Sequence, residues 1–288
     1  MRKLMTGDEA IARGAYEAGV SYASAYPGTP STEILENLST YEEIYAEWAP
    51  NEKVAMESAI GASVAGLRSM VSMKHVGMNV AADQNEQDNR NYAKAAKIAM
   101  FEPADSQECI DMVKAAYELG EKFDTPFIIR MTTRVCHSKS IVELKERETV
   151  PAKKWEKNPG KYVCLPAIAR NLRVKVEERL KKLAEYSETS PFNRMEMGDT
   201  KVGVIASGIC YYYAKEVFGE NASYLKLGFT NPLPSGLVKE FCSKVDKVYI
   251  LEENDPYIEE FVRQQGCDCI GKDLFPAYGE MTPDVIRA

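Results

Sequence analysis

The amino-acid sequence predicts an α/β protein built on a mostly parallel sheet. Three observations point there. Apolar strand-like segments alternate with amphipathic helical ones along most of the chain, the mark of parallel strands joined by crossover helices. Several strand ends run directly into helix starts through short turns. The composition, 45% apolar and 27% charged over 288 residues, is that of a globular protein with room for two domains.

The elements follow in order. Thr6 can cap a helix that takes in Asp8, Glu9, Ala10, Ile11, Ala15 and Tyr16, and Gly19 ends it. Residues 20–26 read as a buried strand. It leads into Pro27-Gly28-Thr29-Pro30, with Thr29 as N-cap and Pro30 as first residue of a helix reaching 38. A strand over 45–48, the turn Ala49-Pro50-Asn51 and a helix from Glu52 come next. On that helix Ala55, Ala59, Ala62, Ala65 and Gly66 recur every three or four residues, leaving a narrow face that another helix can approach closely. A strand over 68–75 precedes a helix starting within 77–83. That helix breaks off in the wholly polar run 84–91, too soon for a stable helix. A strand over 96–101, a helix from Asp105 or Ser106 to about Lys122, a strand over 125–131 and a polar loop over 132–139 follow. Composition changes at Val150. Residues 151–166 read as a linker, 168–186 as a charged helix and 187–200 as a second linker. A fresh α/β unit then places strands at 201–206, 223–227 and 247–251, and helices at 209–218, 237–243 and 256–265. The expected domains are 1–150, a linker with one helix over 151–199, and 200–288.

The net charge of −7 argues against a nucleic-acid partner. No apolar run is long enough to span a membrane and no signal peptide opens the chain, so a cytoplasmic location without membrane attachment is expected. The seven cysteines form no Cys-x-x-Cys pair, which points to reduced thiols and to no metal or iron–sulfur site in this stretch.

Three stretches can carry chemistry. Glu52 heads a helix just past a strand end. Tyr26-Pro27-Gly28-Thr29-Pro30-Ser31-Thr32 is a strand–turn–helix junction, the usual ligand position of an open α/β sheet. Met73-Lys74-His75-Val76-Gly77-Met78-Asn79-Val80-Ala81-Ala82-Asp83 follows another strand. His75 and His137, the two histidines, each lie just past a strand end. Each feature also has a structural reading: an acid favouring a helix start, a well-made αβ connection, a packed imidazole.

Together the three stretches resemble the pyrimidine-binding domain of thiamine-diphosphate 2-oxoacid:ferredoxin oxidoreductases. Within that family they look most like the large, or alpha, subunits of the indolepyruvate ferredoxin oxidoreductases. The resemblance runs from Thr6-Gly7-Asp8-Glu9-Ala10 to Gly279-Glu280-Met281-Thr282-Pro283. It implies a pyrimidine-binding domain followed by a transketolase carboxyl-terminal-like α/β domain. It implies that Glu52 hydrogen-bonds the pyrimidine N1′, so that the exocyclic nitrogen can take the C2 proton of the thiazolium. Glu57, more than a turn further on, ranks lower. Thr29 would approach cofactor and substrate, and Tyr26, Pro27, Gly28 and His75 would border the cofactor. Related pyruvate enzymes read Tyr-Pro-Ile-Thr-Pro at this turn. Gly28 could therefore make room for an aromatic substrate, or serve only the backbone. Arg90 and Lys94 are candidates for a substrate carboxylate, although a solvated face fits both equally. Relatives often carry arginine where Lys94 stands, and lysine lacks its two-pronged geometry. Ser207-Gly208 is a weaker candidate for an anion.

The implied reaction is oxidative decarboxylation of an arylpyruvate with coenzyme A, passing electrons to ferredoxin. A smaller beta subunit is the implied partner. The Mg²⁺–diphosphate site and the iron–sulfur clusters would lie beyond this stretch, which alone should not catalyse the reaction. The alternatives are another 2-oxoacid, such as pyruvate or 2-oxoglutarate, and a short non-catalytic scaffold subunit. The family carries further chain after Asp83: more helix, a glycine-rich turn, an apolar strand and a loop. Residues are therefore expected to be missing between Asp83 and Gln84, whose Cα atoms should lie beyond the roughly 3.8 Å of a trans peptide.

Overall fold

A computed structural model describes residues 1–79, 87–163 and 165–288. The expected gap at Asp83–Gln84 lies outside the described residues. In chain order the elements begin β1 (Arg2–Met5), α1 (Gly7–Glu17), β2 (Tyr22–Ala25), α2 (Thr32–Leu38), β3 (Tyr45–Trp48), α3 (Glu52–Val64) and β4 (Ser69–Ser72). A 3₁₀ turn (His75–Met78) precedes α4 (Asn89–Ala96), β5 (Ala99–Phe101), α5 (Ser106–Phe123), β6 (Phe127–Ile129), α6 (Thr133–His137), β7 (Ser140–Glu143) and α7 (Pro159–Tyr162). Then come α8 (Pro166–Thr189), β8 (Asn193–Glu196), β9 (Gly203–Ser207), α9 (Gly208–Phe218), β10 (Ser223–Leu227) and β11 (Phe229–Asn231). The order closes with α10 (Ser235–Cys242), β12 (Val248–Leu251), α11 (Tyr257–Gln264) and α12 (Pro283–Arg287).

The chain forms two compact units. One comprises 1–87, 105–124 and 133–179, the other 88–104, 125–132 and 180–288. This differs from the division at 150 read from the sequence, for a hydrogen-bonding reason. β5 pairs with β6 on one side and, antiparallel, with β11 on the other, which draws both short strands into the second unit.

In the first unit β2 lies between β3 and β4, parallel to both. The chain steps from β2 to β3 on one side and then crosses to β4 on the other, so the connections diverge at β2. α1 starts in a capping box: the Glu9 N–H donates to Thr6 Oγ1 at 3.1 Å and the Thr6 N–H to Glu9 Oε2 at 2.9 Å. Gly19, with φ of +71°, ends it. Arg68 locks β4 in place, reaching the Ala18 carbonyl at 2.7 Å, Glu121 at 3.0 Å and Glu148 at 3.2 Å. Strands β1 and β7 form an antiparallel ribbon that the sequence reading did not include.

Other local expectations need correction. α2 begins at Thr32 with Ser31 as its N-cap residue, so Thr29 caps nothing. The turn closes earlier on itself: Ser31 N–H and Oγ–H both donate to the Gly28 carbonyl at 2.9 Å, and the Gly28 N–H donates to Thr32 Oγ1 at 2.9 Å. The loop expected over 132–139 holds α6, and the second linker holds the end of α8 and strand β8.

The second unit has a four-stranded sheet in the order β12-β9-β10-β8, parallel except for the edge strand β8. One face packs Val204, Tyr211, Tyr224 and Leu251; the other packs Ile205, Leu225, Phe241, Ile250 and Ile258. Around β5, Phe101 is fully buried among Phe127, Phe192 and Phe229, with ring centroids 5.0–5.3 Å apart. Among the described residues no helix is long and apolar enough to cross a membrane.

Phe101→Ala should destabilise the second unit by about 3–5 kcal/mol, the usual cost of deleting a buried ring. Urea unfolding of the chain measures it. A loss under about 1 kcal/mol would show that the aromatic cluster is not what holds β5 in place.

Candidate functional site

The register of the first sheet assembles the site. Ala25, the last residue of β2, pairs with Trp48 at the end of β3 and with Ser72 at the end of β4. All three strands therefore stop at one level, and the three stretches singled out in the sequence leave from one carboxyl edge.

α3 starts where expected. Asn51, extended at φ −164°, accepts the Val54 N–H on its side-chain oxygen at 2.9 Å. Glu52 is thus the first helical residue, half-buried, at the positive end of the helix. Gly77, buried in the 3₁₀ turn, lies directly against it. A Cβ built on Gly77 would come within 2.6 Å of Glu52 Cγ and 2.8 Å of its Oε1. The glycine is what leaves the carboxyl group its position. Gly28 likewise backs onto Lys74, where an added Cβ would lie 3.0 Å from the Lys74 Cβ. That contact gives Gly28 a packing reason of its own, favouring the backbone reading over room for a larger substrate. The structure so joins the turn at Gly28 to Lys74, and Glu52 to Gly77. Tyr26, Pro27 and Thr29 are exposed on the turn, and His75 is half-buried. Ser72, at the β4 end of the same edge, has a buried hydroxyl without a hydrogen-bond partner.

An aminopyrimidine requires an acid at one ring nitrogen and polar atoms around its rim. A half-buried acid in a space kept by a glycine fits the first part of that requirement. Glu52 would hold the ring, and Thr29, His75 and Ser72 come from the ends of the same three strands.

Arg90 requires correction. It is 1% exposed, in the second unit, and each of its three guanidinium nitrogens donates a hydrogen bond within that unit. Nε donates to Asp88 Oδ1 at 2.9 Å, Nη1 to Glu252 at 2.6 Å, and Nη2 to the Glu253 and Asp255 carbonyls at 2.7 and 3.0 Å. Burial works against the Asp88 carboxylate, yet its hydrogen bonds to Arg90 hold it below the usual range. For Glu252 burial prevails and raises its carboxyl, with the Arg90 charge opposing. Buried and paired with Asp88 and Glu252, Arg90 is not open to a substrate. Lys94 differs, since it is exposed with Nζ 5.9 Å from the Tyr257 ring. Of the two cations, Lys94 alone stays available to a carboxylate. The Ser207-Gly208 turn is no anion site either, because the Ser207 hydroxyl donates to Glu102 at 3.0 Å and puts a carboxylate beside it. The contact the sequence reading missed is Gly77 on Glu52; a buried glycine after a strand end was its only signal.

A sheet whose divergent connections gather an acid and two turns at one edge defines a nucleotide- or cofactor-type α/β site. The family model described as "Pyruvate flavodoxin/ferredoxin oxidoreductase, thiamine diP-bdg" matches residues 13–78 and 72–176, and the chain belongs to this family. The indolepyruvate oxidoreductase subunit IorA of Archaeoglobus fulgidus is 41% identical over 319 residues, covering 96% of this chain and 50% of its own length. The subunit of that name from Pyrococcus horikoshii is 40% identical, covering 97% of this chain and 50% of its own. The chain thus spans about half the length of these curated relatives. The 319 aligned positions also exceed the 288 residues here, so the Archaeoglobus relative carries residues without a counterpart in this chain. A 2-oxoglutarate synthase subunit KorA, also from Archaeoglobus fulgidus, is 25% identical, covering 92% of each chain. Among solved structures, the 2-oxoglutarate:ferredoxin oxidoreductase of Magnetococcus marinus superposes with a TM-score of 0.78 at 17% identity, over 99% of this chain and 64% of that one. A split-gene transketolase superposes at 0.53 with 15% identity, over 93% and 89%. These two likenesses establish the expected α/β fold.

Replacing Arg90 by Met should cost about 3–5 kcal/mol of stability, because Asp88 and Glu252 are left buried and uncompensated. Thermal unfolding reads this. A variant of normal stability whose only defect is a raised KM would restore Arg90 to a substrate role.

Proposed function

We propose that this chain supplies the pyrimidine side of the thiamine-diphosphate site in an indolepyruvate:ferredoxin oxidoreductase. The observation that carries the reading is Glu52, set against Gly77 at the common end of three parallel strands. The identity of about 40% to subunits named for indolepyruvate supports the substrate. When bound, thiamine diphosphate supplies the carbon nucleophile and electron sink for decarboxylating a 2-oxoacid. Glu52 shares a proton with the pyrimidine nitrogen, and Gly77 holds the place of that carboxyl group. Thr29 offers its hydroxyl from the turn.

The diphosphate with its Mg²⁺, and the iron–sulfur clusters that pass electrons to ferredoxin, belong to other parts of the enzyme. α3, which begins at Glu52, exposes Met56 and Ile60 one turn apart on one face, an apolar pair suited to being covered by such a part. A smaller subunit completes the cytoplasmic complex, and coenzyme A takes the acyl product.

The complex should be purified through a tag on this chain and assayed with coenzyme A and a viologen acceptor. Its kcat/KM should be highest for indolepyruvate. A preference for pyruvate or 2-oxoglutarate would move the chain to another 2-oxoacid. No turnover with any 2-oxoacid would favour a scaffold role. In the same complex Glu52→Gln should lower kcat about a hundredfold or more while leaving the unfolding midpoint nearly unchanged. Gly77→Ala, by pushing that carboxyl aside by about an ångström, should lower kcat by a similar factor. Full turnover in both variants would remove Glu52 from its role.

A further inference from the structure

A second group of ionisable side chains lies in the first unit, on α1, α2 and α6. Asp8, in the first turn of α1, is 1% exposed, and neither carboxylate oxygen has a hydrogen-bond partner. Its helix cannot help, since Thr6 and Glu9 occupy the end of α1 with their own reciprocal hydrogen bonds. Burying a carboxylate without donors is costly. Burial pushes the Asp8 carboxyl up to about 7; the adjacent Cys136 thiol, a weak donor, opposes this and Glu33 adds to it. Glu33 reaches in from the first turn of α2, and His137 from the end of α6, both exposed. One carboxylate oxygen from each acid and one ring nitrogen of His137 lie within 4.8 Å of one another.

We propose that Asp8, Glu33 and His137 bind a divalent transition cation of the Zn²⁺ or Mn²⁺ kind. One imidazole and two carboxylates form a mixed nitrogen–oxygen set. The imidazole disfavours Mg²⁺ and Ca²⁺, which take oxygen ligands, and suits borderline ions. Ligand bonds of about 2.0–2.2 Å require the three atoms to draw about an ångström closer. The two exposed side chains can make that movement onto the buried Asp8. The cation supplies the partner that the buried Asp8 oxygens lack. Its consequence is mechanical. It ties the starts of α1 and α2 to the end of α6, and α2 begins at the turn that carries Gly28 and Thr29. The cation is therefore a structural support for that turn. It touches no reacting atom.

The test uses the tag-free full chain, stripped with chelator. Thermal unfolding is followed with Zn²⁺, Mn²⁺ or Mg²⁺ added, and Zn²⁺ affinity is measured by calorimetry. Zn²⁺ or Mn²⁺ should raise the midpoint by several degrees, and Mg²⁺ should not. Asp8→Asn, Glu33→Gln and His137→Gln should each weaken Zn²⁺ binding by about tenfold or more, the least that loss of a metal contact costs. Glu33 and His137 are exposed, so their variants keep the fold. Asp8→Asn should also raise the midpoint of the metal-free chain, because a neutral isostere replaces a buried acid. Equal Zn²⁺ shifts in the parent and all three variants would mean that the ion sits elsewhere. Equal shifts with Mg²⁺, or none with any ion, would overturn the proposal.

Discussion

The first unit depends on three parallel strands ending at the same level. Hydrogen bonding between β2 and its two neighbours sets Ala25 opposite Trp48 and Ser72. Ala23, Ser24 and Ala25 are all buried, so β2 is covered on both faces and a slip of one residue would exchange the alanines with Ser24 between them. The candidate site follows from that alignment. The turn after β2, the head of α3 after β3 and the 3₁₀ turn after β4 are brought together because their strands end together. Small residues then allow close approach: Gly28 against Lys74 and Gly77 against Glu52. Side chains at either position would push the loops apart.

In the second unit, buried charges take over the role that glycines play in the first. Arg90 is among the largest fully buried side chains and is neutralised by Asp88 and Glu252. Arg130 joins Glu102 at 3.0 Å and Asn89 at 2.9 Å, and Glu102 in turn accepts from Ser207. These ions link α4, β5 and β6 to the ends of β9 and β12. Such pairs add little net stability, since desolvation offsets their attraction, but breaking one leaves a charge stranded. They therefore specify which segments meet more than they strengthen the meeting. Short strands of three residues, such as β5 and β6, have little else to define their partners.

Legibility in the sequence followed how local the governing interaction was. The strand at 45–48 and the start of α3 at Glu52 were read correctly, because an Asn cap and the apolar pattern lie within a few residues. The same holds for α5, whose Asp105 accepts the Glu108 N–H. Thr29 was misread as a cap because the Thr-Pro pair imitates a helix start, whereas the hydrogen bonds of the turn close from Gly28 to Ser31 and Thr32. β1, β7 and β11 are three or four residues long and are stabilised by partners far along the chain, which no local pattern reveals. Arg90 looked available because its flanks are polar, yet its partners Glu252 and Asp255 come more than 160 residues later. For the site, the three stretches were legible and the contact of Gly77 with Glu52 was not. The family model also matches in two stretches that meet at 72–78, just before the polar run where the reading expected missing chain.

Glu52 and Asp8 show how one helix geometry yields two different acids. Each lies in a first turn, where the helix end favours negative charge. In each helix another residue attends to the orphan N–H groups: Asn51 for α3, and Thr6 with Glu9 for α1. Relieved of capping, each neighbouring carboxyl group can serve something outside its own helix. What then separates them is burial. Glu52 is half-exposed at a strand edge against a glycine, so its carboxyl is open to a ligand that arrives from solvent. Asp8 is buried, with only the weak Cys136 thiol to oppose the effect of burial, and its affinity for a proton rises.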